Sequence, residues 1–347
     1  MATESRIGLE RRLPVTASEA PSMGELDRQI VAALQCNGRA TWQQVARAVG
    51  ASESTVSRRA NRLINQGIVR IAGLADPLVC GFGYPVLLQV ECAVGAVGSV
   101  ARALAARPDV RFLSLLTGSY DLVLEIIVSS RAHLATVLID QLNSVPGITR
   151  TTTESVVRNF KTSYDWSRDL LGGSAAAVEA KTPAPLACGP TMELGTIDMQ
   201  LLQQLGLDGR LSVAELAARI DVGDSVVRRR LDALTSGGAL RLATLVDPVL
   251  MGFDCEFILW LDLDLSRLED VAAALCARPE IRYLSATAGY SDLVAEVVVR
   301  DMDALYRFNT GVLASLPGIR RSEIGIELHT VKRGYLSSTL EPFTFNP

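Results

Sequence analysis

The sequence predicts an α+β protein: a duplicated unit in which an N-terminal (winged) helix-turn-helix is followed by a ferredoxin-like βαββαβ domain. Three observations predict it. Offsetting the chain by 171 residues aligns two long segments without a gap. Asp27 meets Asp198, Gly38-Arg39 meets Gly209-Arg210, and Asp76-Pro77 meets Asp247-Pro248. Further along, Gly118 and Asp121 meet Gly289 and Asp292, and Pro146-Gly147-Ile148 meets Pro317-Gly318-Ile319. The first part of each copy has helical spacing of its apolar residues with a tight break, and the second part alternates strand and helix patterns.

In copy one, Leu26, Ile30, Val31 and Leu34 give a first helix. Thr41-Trp42-Gln43-Gln44 has the capping-box form that opens a second, and Ser212-Val213-Ala214-Glu215 is its counterpart. Breaks follow at Gly50-Ala51-Ser52 and Asp221-Val222-Gly223, and a third helix runs from about Glu53 to Gln66 with Ser52 as N-cap. Two short helices joined by a tight turn form the helix-turn-helix pattern. At about 100° per residue, Val56, Ala60 and Leu63 face the core. Ser54, Ser57 and Arg58 point away, with Thr55 and Arg62 on a flank. In copy two Ser225, Val226, Arg228 and Arg229 occupy the outer side. These nine residues are the candidate DNA contacts, because hydroxyls and arginines reach phosphates and base edges. Arg59 and Arg230 sit on the shoulder, where an ion pair with Asp27 or Asp198 suits them better.

The second part of each copy reads β-α-β-β-α-β: strands from Tyr84, Val110, Asp121 and Ile148, helices from Val97 and Ala132, and the same order from Cys255 to Val331. Two helices cover one face of such a sheet, so the other apolar face needs a partner, and the second copy can supply it. The expected division is a flexible tail (1–22), helix-turn-helix one (23–77), ferredoxin-like domain one (78–166) and a linker (167–192). Then come helix-turn-helix two (193–248), ferredoxin-like domain two (249–337) and a tail (338–347). The stretch from Gly172 to Pro190 is rich in Gly, Ala, Ser and Pro and reads as lacking a packed core, although SAAAVEAK could form two helical turns.

Composition excludes several classes. With 347 residues and 48% hydrophobic content, the chain is large enough for more than one core and is not disordered. No apolar run reaches the roughly 18–20 residues of a membrane helix, and MATESRIGLERRLPV lacks the apolar stretch of a signal peptide, so a soluble cytoplasmic protein is expected. The net charge of −4 means that affinity for nucleic acid has to come from a local patch. Six cysteines without a CxxC pair, and only two histidines, leave little material for metal or Ser-His-Asp chemistry. Neither a metal site nor a cofactor is expected, and the chain does not read as an enzyme.

These residues resemble the Lrp/AsnC (feast/famine) transcriptional regulators. The resemblance rests on VARAVGASESTVSRRANRLINQGIV, Asp76-Pro77, Gly81-Phe82, TGSYDLVLEI, VPGI and the Thr-rich last strand, and it occurs twice. It implies a cytoplasmic, nucleoid-associated regulator that binds double-stranded promoter or operator DNA, self-associates through its sensing domains and responds to an amino acid or other small metabolite. It also implies an effector site at the Gly-x-x-Asp turns: Gly118, Ser119, Tyr120 and Asp121, and Gly289, Tyr290, Ser291 and Asp292. Thr151 and Thr152 would complete the first pocket. Amides of such a turn can hold a carboxylate and the Asp an ammonium group. A second family, the siroheme decarboxylases of tetrapyrrole biosynthesis, is similar in layout. Their chemistry is expected to lean on histidine, which the candidate pocket strands lack. The effector, the operator, the sign of regulation and the pairing of the copies within or between chains stay open at this level.

Overall fold

The computed structural model describes residues 23–178, 191–333 and 336–337. The two expected tails and the linker residues 179–190 lie outside these.

Each copy opens with three helices: α1 (Glu25–Cys36), α2 (Trp42–Val49) and α3 (Glu53–Asn65) in the first. Thr41 and Gln44 close the capping box on α2, and the Ser52 hydroxyl accepts from the Thr55 amide at the start of α3. The turn between them passes through Gly50 at φ 66°. Its counterpart Asp221, at φ 54°, is the one non-glycine residue with positive φ among those described. Val56, Ala60 and Leu63 are buried, as the helical angles require. A strand β1 (Val69–Ala75) follows.

Domain one then runs β2 (Tyr84–Cys92), α4 (Val97–Ala105), β3 (Val110–Leu116), β4 (Leu122–Val128), α5 (Arg131–Thr136) and β5 (Ile148–Thr162). Copy two repeats the order with α6 (Thr196–Leu207), α7 (Val213–Ile220), α8 (Asp224–Ser236), β6 (Leu240–Val246) and β7 (Cys255–Leu263). It ends with α9 (Leu268–Cys276), β8 (Ile281–Ala288), β9 (Leu293–Val299), α10 (Met302–Arg307) and β10 (Ile319–Arg333).

The copies pair with each other inside the chain. β1 and β6 form an antiparallel ribbon between the two helical heads, with Ala72 opposite Ala243. Those two residues are 171 apart, so the pairing lies on a pseudo-two-fold axis. The long strands β5 and β10 do the same for the sheets. β5 pairs with β2 along Ile148–Ser155 and then crosses to β8 along Ser155–Thr162. β10 pairs with β7 up to Ile326 and crosses to β3 from Glu327 to Arg333. Bulges accompany both crossings. The two four-stranded sheets therefore join at both edges and face each other across a layer of Leu87, Leu116, Tyr120, Val123, Val156, Ile258, Trp260 and Val294. Helices cover their outer faces, which explains why every residue of β4 and β9 is buried.

The heads dock crosswise. Met251, Phe253 and Val298 of copy two join the core of head one, and Val79, Cys80 and Phe82 of copy one join that of head two. Arg39 donates to the Gly209 and Leu211 carbonyls at 2.9 and 2.8 Å. Its counterpart Arg210 donates to those of Gly38 and Ala40 at 2.8 and 3.3 Å. The expectation of no packed core beyond Gly172 is corrected for residues up to 178. A 3-10 segment, Arg168–Ala177, lays Leu171, Ala175 and the following Val178 on head one together with Trp166. The small residues that suggested a linker instead allow close approach to α1 and α2.

Candidate DNA-binding surface and effector turns

Each third helix is anchored from its inner shoulder. Asp27, only 3% exposed, accepts from Arg59 at 3.0 Å and Arg62 at 2.7 Å. Asp198, at 1%, accepts both nitrogens of the Arg230 fork. This bidentate bond holds the Arg230 guanidinium above its ordinary pKa. The shoulder arginines are thus structural, as their angle indicated. Arg62, expected on the DNA flank, shares this anchor while its side chain stays half exposed. Arg58, Arg228 and Arg229 are exposed, and no ion pair is seen for any of them among the described residues. At the start of α3 the Ser52 hydroxyl bonds those of Ser54 and Thr55, and Ser57 accepts from Asn61. Helix α8 begins on Gly223 without a side-chain cap, with Ser225 exposed and Val226 half-buried.

The Gly-x-x-Asp turns sit at the opposite end of the sheets from Arg111 and Arg282. Asp121 and Asp292 each accept a strand amide, from Cys92 and Leu263, both at 2.7 Å. Their first role is to lock the turn to the neighbouring strand. Each turn also meets the last strand of the other copy. Gly118 lies against the Ile324 carbonyl and Gly325, and Gly289 lies under Glu154. Thr151 and Thr152 pair with Val90 and Gln89 on β2, across that strand from the start of β4, and the part of β5 that pairs with β8 begins at Ser155.

The turns have diverged. Tyr120 points inward, packing edge-on against Trp260 with ring centroids 6.1 Å apart. Tyr290 is 63% exposed and lies under the Arg321 guanidinium, 4.0 Å from its ring. Glu154, which the sequence did not single out, is fully buried, and among the described residues neither carboxylate oxygen has a hydrogen-bond partner within 3.5 Å. Burial pushes its carboxyl up to about 7, with Thr287, Ser291 and Arg321 opposing. A raised carboxyl is protonated in the folded chain where the unfolded chain has already ionised. Its stabilising contribution is complete below about pH 4.5 and is lost as pH rises to about 7. Glu154→Gln is accordingly expected to melt like the parent at pH 4 and to be more stable at pH 8 by on the order of 2–3 kcal/mol. Equal stability of the two proteins at pH 8 would show that Glu154 is not held protonated.

Known protein families share this layout. The Lrp/AsnC ligand binding domain matches residues 86–166 and 256–336. The AsnC-type helix-turn-helix domain matches 23–64, and a winged helix-turn-helix DNA-binding domain matches 194–241. An uncharacterised HTH-type transcriptional regulator of Pyrococcus abyssi (strain GE5 / Orsay) is 33% identical over 145 residues, 42% of this chain and 92% of its own length. HTH-type transcriptional regulator FL11 of Pyrococcus horikoshii (strain ATCC 700860 / DSM 12428 / JCM 9974 / NBRC 100139 / OT-3) is 29% identical over 140 residues, 40% and 92% of the two chains. Among solved structures, siroheme decarboxylase NirDL superposes with a TM-score of 0.60 over 93% of this chain and 95% of its own. At 14% identity, that likeness shows a shared fold. The chain belongs to the Lrp/AsnC family and carries the family's helix-turn-helix and ligand binding domain twice in one polypeptide.

Proposed function

We propose that the protein is a sequence-specific DNA-binding transcriptional regulator whose paired heads read an operator in response to a small molecule such as an amino acid. The observation that carries this reading is the pair of third helices. Their shoulder arginines are consumed by buried aspartates, while Arg58, Arg228 and Arg229 face solvent on the same helices. Such a basic face on an otherwise acidic protein supplies the local patch that phosphates need. The effector seat is the copy-two turn, where Asp292 pins the turn to β7 and Gly289 packs on the buried carboxyl of Glu154. The copy-one turn, Gly118–Asp121, is a second seat of different lining. Assembly of chains through the sensing domains and a place on the nucleoid belong to the same proposal. No helix among the described residues is long and apolar enough to cross a membrane.

Gel-shift titration against genomic fragments tests the reading. Affinity is expected to fall steeply with salt, and Arg58→Ala and Arg228→Ala each to weaken binding by about 1–3 kcal/mol with unchanged folding. Binding by both variants equal to the parent would remove the third helices from the interface. For the effector arm, Asp121→Ala and Asp292→Ala are compared for loss of response to an amino-acid panel. Full response in both would place the effector elsewhere.

A further inference from the structure

Resting on the DNA-binding reading above, we infer that one chain recognises an asymmetric DNA site: two unlike half-sites in fixed order. A symmetric homodimer presents two identical helices and selects a palindrome. Here the two heads are paired within the chain at the β1–β6 ribbon, by the reciprocal Arg39 and Arg210 bonds, and at both sheet edges. Each head's pairing surface is occupied by the other copy, so the order of the heads along bound DNA is written in the polypeptide.

The pseudo-two-fold holds in the scaffold and breaks on the DNA side. Asp27–Arg59 and Asp198–Arg230 occupy equivalent positions and make the same anchor. On the outer face, Thr55 is replaced by Val226, Ser57 by Arg228, Arg62 by Ala233 and, on the preceding helix, Arg47 by Ala218. The N-terminal turns differ as well. Ser52, Ser54 and Thr55 form a hydroxyl cluster in head one, and head two starts on Gly223 without a side-chain cap.

These differences have distinct base preferences. Arg228 beside Arg229 offers two guanidinium forks, which pair with the O6 and N7 of guanine, and Val226 offers an apolar contact to a thymine methyl. In the positions of that adjacent pair head one offers Ser57 and Arg58, among hydroxyls that bond any base edge, while its Arg62 is tied to Asp27 and its Arg47 lies on the preceding helix. The half-site under head two should therefore demand guanine where the half-site under head one tolerates substitution.

The test is selection from random double-stranded DNA with the full-length chain, followed by footprinting. The expected consensus has no dyad. On it, Arg228→Ala loses roughly tenfold to a hundredfold in affinity and base preference in one half only. The double variant Thr55→Val, Ser57→Arg reports by gain: its consensus shifts toward an inverted repeat of the head-two half-site, an outcome that unfolding cannot imitate. A palindromic parent consensus, or loss of preference in both halves on Arg228→Ala, overturns the inference and leaves the DNA-binding reading standing. A pool in which no sequence is enriched overturns the DNA-binding reading and the inference with it.

Discussion

Replacing Arg282 with alanine is expected to cost about 3–5 kcal/mol of stability, because it strips the partner from buried carboxylates. The Arg282 side chain is 6% exposed and donates to Glu256 and Glu296, both at 2.7 Å. It also lies 5.0 Å from the centre of the Trp166 ring, so it ties the inter-sheet charge cluster to the segment packed on head one. Arg333 reaches Glu296 at 2.6 Å and Glu256 at 3.7 Å, and alone it would have to compensate both. The exposed pair Arg150–Glu91, at 3.3 Å, is the control, with under about 1 kcal/mol expected on its loss. Urea denaturation of the two variants separates the cases. A loss below about 1 kcal/mol for Arg282→Ala would mean that the cluster is hydrated and not a stabilising core element.

Trp260→Ala is expected to cost a similar 3–5 kcal/mol, for a different reason. Its indole is 1% exposed and fills the layer between the two sheets. The equivalent residue of copy one is Gln89, so a single indole fills space for both copies, and no symmetric neighbour can take its place. Its removal opens a cavity beside Tyr120, which rests edge-on against it. Because the layer joins the copies, the variant should also lower the cooperativity of unfolding, visible as a smaller denaturant slope. A variant that melts like the parent would show that the sheets do not depend on this contact.

Much of this architecture is legible in sequence because local rules and the repeat agree. The capping boxes at Thr41 and Ser212 and the inward stripe Val56, Ala60 and Leu63 specify the helices without help from the rest of the chain. The shoulder angle likewise marks Arg59 and Arg230 for Asp27 and Asp198. What depends on the other copy is harder to read. β5 and β10 look like ordinary last strands in sequence, and their 15-residue length, which lets each serve two sheets, is seen only in the structure. Glu154 follows three threonines in the last strand, and nothing local marks it for burial; Gly289 of the other copy packs against it. In the 168–177 segment, alanine and glycine suit a linker and a tight contact equally well, and composition alone does not separate the two.

The two copies pair within one chain. Ala72 and Ala243 stand directly opposite in the β1–β6 ribbon, at the centre of the pseudo-two-fold. Opposed residues of an antiparallel pair lie about 4.5–5.5 Å apart at Cα, within the range a disulfide spans. Oxidation of the double variant Ala72→Cys, Ala243→Cys, followed by non-reducing electrophoresis, measures the pairing directly. The expected product is a cross-link that leaves the protein running as a single chain at every protein concentration. A covalent two-chain species as the main product would contradict it.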